Sequence, residues 1–127
     1  MEARPDLITV EFVNDGRMAL ESVGQAYGEI FRRLKPLGCE VILITPHFTR
    51  PPLMPVESLR DPDPRPYVIA LRFLANRENV ALADASSRWA HLWREGLPYV
   101  TLLRNGINHP DDRGHAIFAE ELLRCFE

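Results

Sequence analysis

Residues 40–45 read EVILIT, a short apolar and β-branched run that stops at Pro46. A run of this length without polar alternation is typical of a strand buried on both faces, as in a parallel sheet. LITVEFV at residues 7–13 precedes it, and VALADA at residues 80–85 follows it. The three runs predict three buried strands, which is few for a sheet of this kind.

Helical patterns alternate with these strands. Apolar residues recur at helical spacing over residues 18–34, over 67–76, around Trp89, and again from Ile117 to Phe126. Ser86 is predicted to cap the third of these helices. The resulting order of strand, helix, strand, helix, strand, helix, helix predicts an α/β fold with a parallel sheet covered on both faces. Right-handed crossovers are expected throughout.

The composition fits one globular domain over residues 1–127. Hydrophobic residues make up 46% and charged residues 26%, which excludes the disordered and membrane-spanning classes. A net charge of -3 with scattered arginines offers no basic surface, so we expect no nucleic-acid partner. No apolar stretch is long enough to cross a bilayer, and we expect no membrane partner. The compartment does not follow from the sequence.

No cofactor or metal is predicted. Cys39 and Cys125 lie far apart in apolar surroundings and are interpreted as reduced core thiols without zinc spacing. His109 and His115 do not match a common pair of ligands, and no third ligand is evident. A nucleotide or flavin site is disfavoured because no glycine-rich phosphate loop follows any strand.

Residues 46–66, PHFTRPPLMPVESLRDPDPRP, form a predicted loop. They hold seven of the eleven prolines, which excludes a helix or a central strand. A loop this long inside a compact domain usually has a function.

Two further stretches carry candidate site residues. Asn14, Asp15 and Gly16 follow the first strand, at the sheet edge where α/β proteins bind ligands. Their spacing alone favours a turn and a helix cap, although an amide there can also donate to an oxyanion.

The second stretch is NGINHPDDRGH at residues 105–115. Pro110 fixes His109 in a loop before the last helix, for which Asp111 or Asp112 is the predicted cap. A histidine held in this way can act as general base for a hydroxyl nucleophile. His115, after Gly114, is expected to pack or to cap.

Together these motifs resemble the SGNH, or GDSL-type, hydrolases. The resemblance rests on a strand ending in Phe-Val-Asn-Asp, a strand ending in Thr-Pro-His, and Asn-His-Pro-x-x-x-Gly-His before the last helix. It implies a serine ester hydrolase on a flavodoxin-like three-layer α/β/α sandwich. Asn14 and Asp15 fit the family's third block, whose Asn donates to the oxyanion hole. His109 and Pro110 fit the fifth block, whose His is the catalytic base.

The chain departs from the family pattern at two of these blocks. Phe12 replaces the third-block glycine, and Gly106 stands where the triad acid is expected, three residues before His109. The orienting partner of the base therefore stays open. The candidates are a backbone carbonyl and the side chains of Asn105, Asn108, Asp111 and Asp112.

The family's Gly-Asp-Ser nucleophile block is absent from these residues. None of the four serines lies on a tight turn from strand to helix, and we expect none to be the nucleophile: Ser22, Ser58, Ser86 and Ser87. The resemblance thus implies the C-terminal part of a longer hydrolase whose first strands lie upstream. An incomplete sheet would expose the edge of the first strand, so self-association is expected there.

The function that the resemblance implies is hydrolysis of a small-molecule or carbohydrate ester, such as an acetyl ester, through an acyl-serine. His47, with residues 45–48 and three aromatic side chains, is a candidate for the substrate side. Core packing is the favoured interpretation of those aromatics, Trp89, Trp93 and Tyr99. The alternative function is a non-catalytic interaction module, or pseudoenzyme, with the same fold.

Overall fold

A computed structural model describes residues 4–12, 18–47, 63 and 65–127. The strands are β1 (Leu7–Val10), β2 (Glu40–Ile44) and β3 (Ala81–Ala83), and the helices are α1 (Leu20–Leu34), α2 (Pro66–Glu78), α3 (Ala85–Arg94) and α4 (Asp112–Leu123). Short 3-10 helices cover Lys35–Leu37, Tyr99–Leu102 and Arg124–Phe126. The strands are parallel in the order β1-β2-β3, which confirms the predicted α/β fold.

The side chains of β2 alternate between two layers of helices. Val41 and Leu43 pack into a cluster with α1 and α2, whereas Ile42 and Ile44 pack with Phe118 of α4. Successive residues of a strand point to opposite faces of its sheet, so a continuously apolar strand needs helices on both faces. The sheet therefore lies between two helical layers, as expected of a three-layer sandwich.

The first strand is shorter than its apolar run. β1 ends at Val10, which pairs with Leu43, and the run predicted to reach residue 13 leaves the sheet at Glu11. The neighbouring strand ends at Ile44, just before Thr45 and Pro46. Because proline has no N–H to donate, the ladder cannot continue past this point.

The cap of α3 is Asp84 and not Ser86. The helix begins at Ala85, and the Asp84 side chain accepts from the backbone N–H of Ser87 at 3.1 Å. The prediction was wrong because the helix starts two residues earlier than its pattern suggests. That start places Ser86 inside the first turn.

Strand β1 lies at an edge of the sheet in the described part of the chain. Thr9 of this strand is exposed, whereas Val10 is buried against α1. No helix among the described residues has the length and apolarity that crossing a bilayer requires.

Candidate active site

The His109 loop, defined as residues 103–111, joins a 3-10 helix to α4. Leu103 and Pro110 form an antiparallel bridge. Inside it, the Arg104 N–H donates to the His109 carbonyl at 2.8 Å, and outside it the Asp111 N–H donates to Leu102 at 2.9 Å. These bonds close the loop at its base and fix the backbone on both sides of His109.

Asn105 organises the tip of the His109 loop. Its Oδ1 accepts from the backbone N–H groups of Ile107, Asn108 and His109, each at 3.0 Å. Its Nδ2 donates to Asn108 Oδ1 at 2.9 Å. The two candidate amides therefore bind each other, and that of Asn105 also binds the loop backbone, a use typical of asparagine in turns.

Gly106 has a backbone reason to be glycine. Its φ of 63° lies in the left-handed region, which side chains with a Cβ rarely adopt. This conformation lets the chain turn so that the following N–H groups converge on Asn105. The position three residues before His109 is therefore used here for a tight turn.

The imidazole of His109 is exposed and accepts or donates no hydrogen bond among the described residues. Asp111 is committed elsewhere, since its Oδ1 caps α4 through the Gly114 N–H at 2.9 Å and its Oδ2 pairs with Arg113 at 2.8 Å. These bonds lower the pKa of the Asp111 carboxyl. The side chain of Asp112 is 98% exposed and faces Arg104 at 3.5 Å. The cap is thus Asp111, and neither aspartate orients the imidazole.

Gly114 allows the His109 loop to rest on the core. A Cβ at this position would lie 2.6 Å from the Leu102 carbonyl, 2.9 Å from Pro110 Cβ and 3.0 Å from Trp89 Cη2. No real side chain tolerates the first of these contacts. The first turn of α4 and the loop are therefore seated directly on the indole of Trp89.

His47 follows the carboxyl end of β2 and is 2% exposed. Its ring packs on Trp89, with centroids 5.3 Å apart, and meets the edge of Phe118 at 6.2 Å. Burial, then the nearby charges of Arg65, His109 and His115, lowers the pKa of His47 to about 4. The structure thus brings His47 and His109 within electrostatic range of each other at the carboxyl edge of the sheet.

A buried polar cluster beside His47 was not predicted from the sequence. Asp63, 1% exposed, binds Arg65 Nε at 2.8 Å and the Ser86 hydroxyl at 2.6 Å. Arg65 Nη2 also donates to the His47 carbonyl at 3.1 Å. These bonds tie His47, near the start of the proline-rich stretch, to Asp63 and Arg65 near its end.

The second half of this cluster joins β2 to α3. Thr45 Oγ1 donates to Asp84 Oδ1 at 2.9 Å and accepts from the Ser86 N–H at 2.9 Å. Arg72 of α2 forms a bidentate pair with Asp84, with Nε to Oδ2 at 2.8 Å. The buried polar cluster, kept under this name below, consists of Thr45, Asp63, Arg65, Arg72, Asp84 and Ser86.

Several predicted site residues fall outside the described residues: Asn14, Asp15, Phe48 and Ser58. Of the remaining serines, Ser22 lies on α1 and Ser87 on α3, both exposed, while the Ser86 hydroxyl is buried on Asp63. None of these three hydroxyls bonds to His109. That the nucleophile lies outside these residues stays a prediction.

The aromatic side chains take core positions, as favoured. Trp89 is fully buried and Tyr99 is 3% exposed, both in a cluster between α3, α4 and the 3-10 helix at residues 99–102. Trp93 is half-buried and packs on Tyr99 at 4.9 Å. Trp89 and Tyr99 thus belong to the core cluster that includes Leu103 at the base of the His109 loop, with Trp93 packed against it.

A cavity of about 700 Å³ lies at the opposite edge of the sheet. It is lined by the starts of β2 and β3 and by both free cysteines, Cys39 and Cys125, which are half-buried. It holds none of the predicted site residues. In the described part of the chain, no group of three or more His, Cys, Asp or Glu is placed to hold a metal ion.

Solved structures of other enzymes share the fold of this chain. An acetyl-xylooligosaccharide esterase from Geobacillus stearothermophilus superposes with a TM-score of 0.75 at 20% identity, over 96% of this chain and 59% of its own. A hydrolase from the metagenome of Lake Arreo, Spain, gives a TM-score of 0.74 at 22% identity, over 96% and 60% of the respective chains. This chain therefore shares its fold with the two enzymes. The chain spans less than two thirds of their length.

Catalytic mutants of the same Geobacillus esterase also match, in which a serine, a histidine or an aspartate is replaced by alanine. The aspartate stands three positions before the histidine in that enzyme. Neither the family models nor the curated proteins contain a match to this chain. The likeness therefore establishes the fold, and membership of the SGNH family stays a prediction.

Proposed function

We propose that this chain supplies the general base and an oxyanion donor to the active site of a carboxylic ester hydrolase. The observation that carries the proposal is the exposed imidazole of His109. Asn105 and Asp111, its polar neighbours, are bound to backbone groups, whereas the imidazole is left free at the carboxyl edge of the sheet. The fold shared with the two hydrolases supports the same assignment.

In this mechanism His109 takes the proton of a serine hydroxyl as that oxygen attacks the ester carbonyl. The Asn14 amide, next to Asp15, donates to the oxyanion of the tetrahedral intermediate. The same histidine then protonates the leaving alcohol, and water hydrolyses the acyl-serine by the reverse sequence of proton transfers.

Gly106 lowers the rate that we expect for this reaction. The Geobacillus esterase has its aspartate three residues before its histidine, but this chain has a left-handed glycine there. A base without a carboxylate partner has no side-chain acceptor to fix its ring, and its imidazolium is stabilised by solvent. Since loss of the triad acid lowers kcat by about 10⁴ in serine proteases, we expect slow turnover.

The proposed substrate is an acetyl ester of a carbohydrate. The matched Geobacillus enzyme is described as acting on acetylated xylo-oligosaccharides, and it covers nearly the whole of this chain. The proposed nucleophile is a serine upstream of Met1. The three described serines support this, because two lie on helix surfaces and the third is bound to Asp63.

A fluorophosphonate probe and a chromogenic acetate test this assignment. We expect no covalent adduct and no hydrolysis with these 127 residues, and one adduct with hydrolysis in the product of the reading frame extended upstream of Met1. An adduct on Ser22, Ser86 or Ser87 would show that the nucleophile is placed wrongly. Hydrolysis that the probe does not block would contradict the acyl-serine mechanism.

The second candidate function is a non-catalytic interaction module. Gly106 favours it, because the position that orients a catalytic histidine has been given to a turn. The two functions differ in the extended protein, where the module binds acetylated oligosaccharide or protein without turnover. Release of acetate that depends on His109 excludes the module.

We also propose that the chain associates with itself through β1. Parallel strands at the edge of a sheet carry backbone N–H and C=O groups that pair readily with another strand. Thr9, at the exposed side of β1, is the position to test by Thr9→Pro. We expect sedimentation to show oligomers of the parent chain and a smaller species for the variant, whereas a parent monomer at all concentrations would exclude the association.

A further inference from the structure

His47 is a buried titratable group that the proposed mechanism does not use. Three elements meet at its ring: the end of β2, Trp89 of α3 and Phe118 of α4. Its backbone carbonyl is fixed by Arg65, which is itself paired with Asp63. The ring therefore has one position, set from the backbone on one side and by aromatic packing on the other.

Nε2 of His47 lies inside this packing without a hydrogen-bond partner among the described residues. A charged imidazole would be costly here, because no acidic group among the described residues compensates its charge. The titratable groups that face it are Arg65, His109 and His115, and all three are basic. Trp89 and Phe118, the contacts from α3 and α4, carry no charge, so His47 is uncharged at neutral pH.

A continuous row of contacts runs from His47 to the His109 loop. The ring of His47 packs on Trp89, and the indole reaches the backbone of Gly114. Gly114 in turn lies against Pro110, the residue that follows His109. A Cβ added at Gly114 would lie 3.0 Å from the indole and 2.9 Å from Pro110, so these three residues are closely packed and a shift of the indole removes support from the loop.

We propose that His47 is a positioning residue for His109: an uncharged ring that holds Trp89 beneath the His109 loop. This inference rests on the proposed function, because positioning has a catalytic meaning only if His109 is the base. His47 does not touch the reacting atoms. It acts through Trp89 and through its charge state.

Nuclear magnetic resonance of the 127-residue chain tests the proposal without any activity. The imidazole signals of His109 are followed from pH 8 to pH 4 in the parent and in His47→Phe, which keeps an aromatic ring and removes the titration. We expect a second inflection in the parent near the pKa of His47, about 4. We expect this inflection to be absent from the variant.

Backbone amide shifts at pH 7 give the independent readout. His47→Ala should displace the amides of residues 105–109, and His47→Phe should restore them. His91→Ala, an exposed histidine on α3, is the matched control and should leave them unchanged. If His47→Ala does not fold, His47→Gln, which keeps a polar group but no ring, takes its place and is expected to displace the same amides.

In the product extended upstream of Met1, His47→Ala should lower kcat about tenfold with KM unchanged, and His47→Phe should return most of the loss. The proposal is overturned if His109 shows no second inflection and the loop amides stay in place in His47→Ala. Retention of activity by His109→Ala instead overturns the proposed function. The two failures are therefore distinguishable.

Discussion

The buried polar cluster and the His109 loop lie at the same sheet edge but hold their side chains in opposite ways. In the cluster, Asp63 and Asp84 each bind an arginine and a hydroxyl; Asp63 is buried and Asp84 is partly buried. In the loop, Asn105 binds neighbouring backbone N–H groups and the side chain of Asn108, and the His109 ring stays exposed. Side chains whose bonds are all internal stabilise the fold, whereas an unbound side chain on a fixed backbone can meet a substrate.

The largest effect on stability is expected when one charge is removed from the buried polar cluster. Asp63→Ala leaves Arg65 buried and unpaired, which should reduce the free energy of unfolding by about 3–5 kcal/mol. Urea unfolding measures the change. Arg104→Gln is the control, because its partner Asp112 is almost fully exposed, and its midpoint should not move. An equal response of the two variants would remove the distinction between cluster and loop.

The next largest effect on stability concerns His47, which lies between the buried polar cluster and the His109 loop. Its folded pKa of about 4 lies below the unfolded value near 6.5, so the unfolded chain binds the extra proton first. The contribution of uncharged His47 to the free energy of unfolding is therefore fully present above pH 6.5. It falls by about 3 kcal/mol as the pH drops to 4. His47→Phe should lose this component of the pH dependence. Identical urea midpoints against pH in parent and variant would contradict the burial of an uncharged ring.

Substitution of Gly114 tests how closely the His109 loop packs on the core. Gly114→Ala should destabilise the chain by about 1–3 kcal/mol, because the new Cβ meets Leu102 and Pro110. Gly24→Ala is the matched control, since no atom lies within 4 Å of its Cβ and alanine favours the α1 helix by about 0.5–1 kcal/mol. Thermal melts should move in opposite directions. A stabilised Gly114→Ala would show that the loop is not packed on Trp89.

The smallest effect on global stability is expected in the loop itself. Asn105→Ala removes the acceptor of three backbone N–H groups, yet all of them are exposed to water, so the loss is about 1 kcal/mol or less. Amide hydrogen exchange at residues 107–109 should nevertheless accelerate strongly. Asn108→Ala, which removes one side-chain bond, should change exchange far less. Equal exchange rates would mean that Asn105 does not fix the loop.

The sequence predicts the loop better than it predicts the cluster. The continuous apolar run at residues 40–45 requires a buried parallel strand, and Asn-His-Pro followed by two aspartates requires a fixed histidine before a helix. Both signals are local. The cluster depends instead on Asp63 meeting Ser86 across the sheet edge, and Asp63 lies in a proline-rich stretch without any periodicity.

The same limit applies to His47 and to the cap of α3. His47 could be placed at a strand end, but its burial depends on Trp89 and Phe118, which are distant in sequence. Ser86 and Asp84 are both good capping residues, and the choice between them is made by Thr45 and Asp63, which bind the serine. Asn105 follows a recognisable Asn-Gly turn pattern, yet which N–H groups it accepts from is decided by the left-handed Gly106.

The central claim, that His109 is the base of an ester hydrolase, is tested most directly by acetate release from the product extended upstream of Met1. His109→Ala should lower kcat by at least about 10²-fold, the contribution of a general base, while the melting temperature stays unchanged. His115→Ala, an exposed histidine one turn into α4, should retain full activity. Equal acetate release by the parent and His109→Ala would contradict the account.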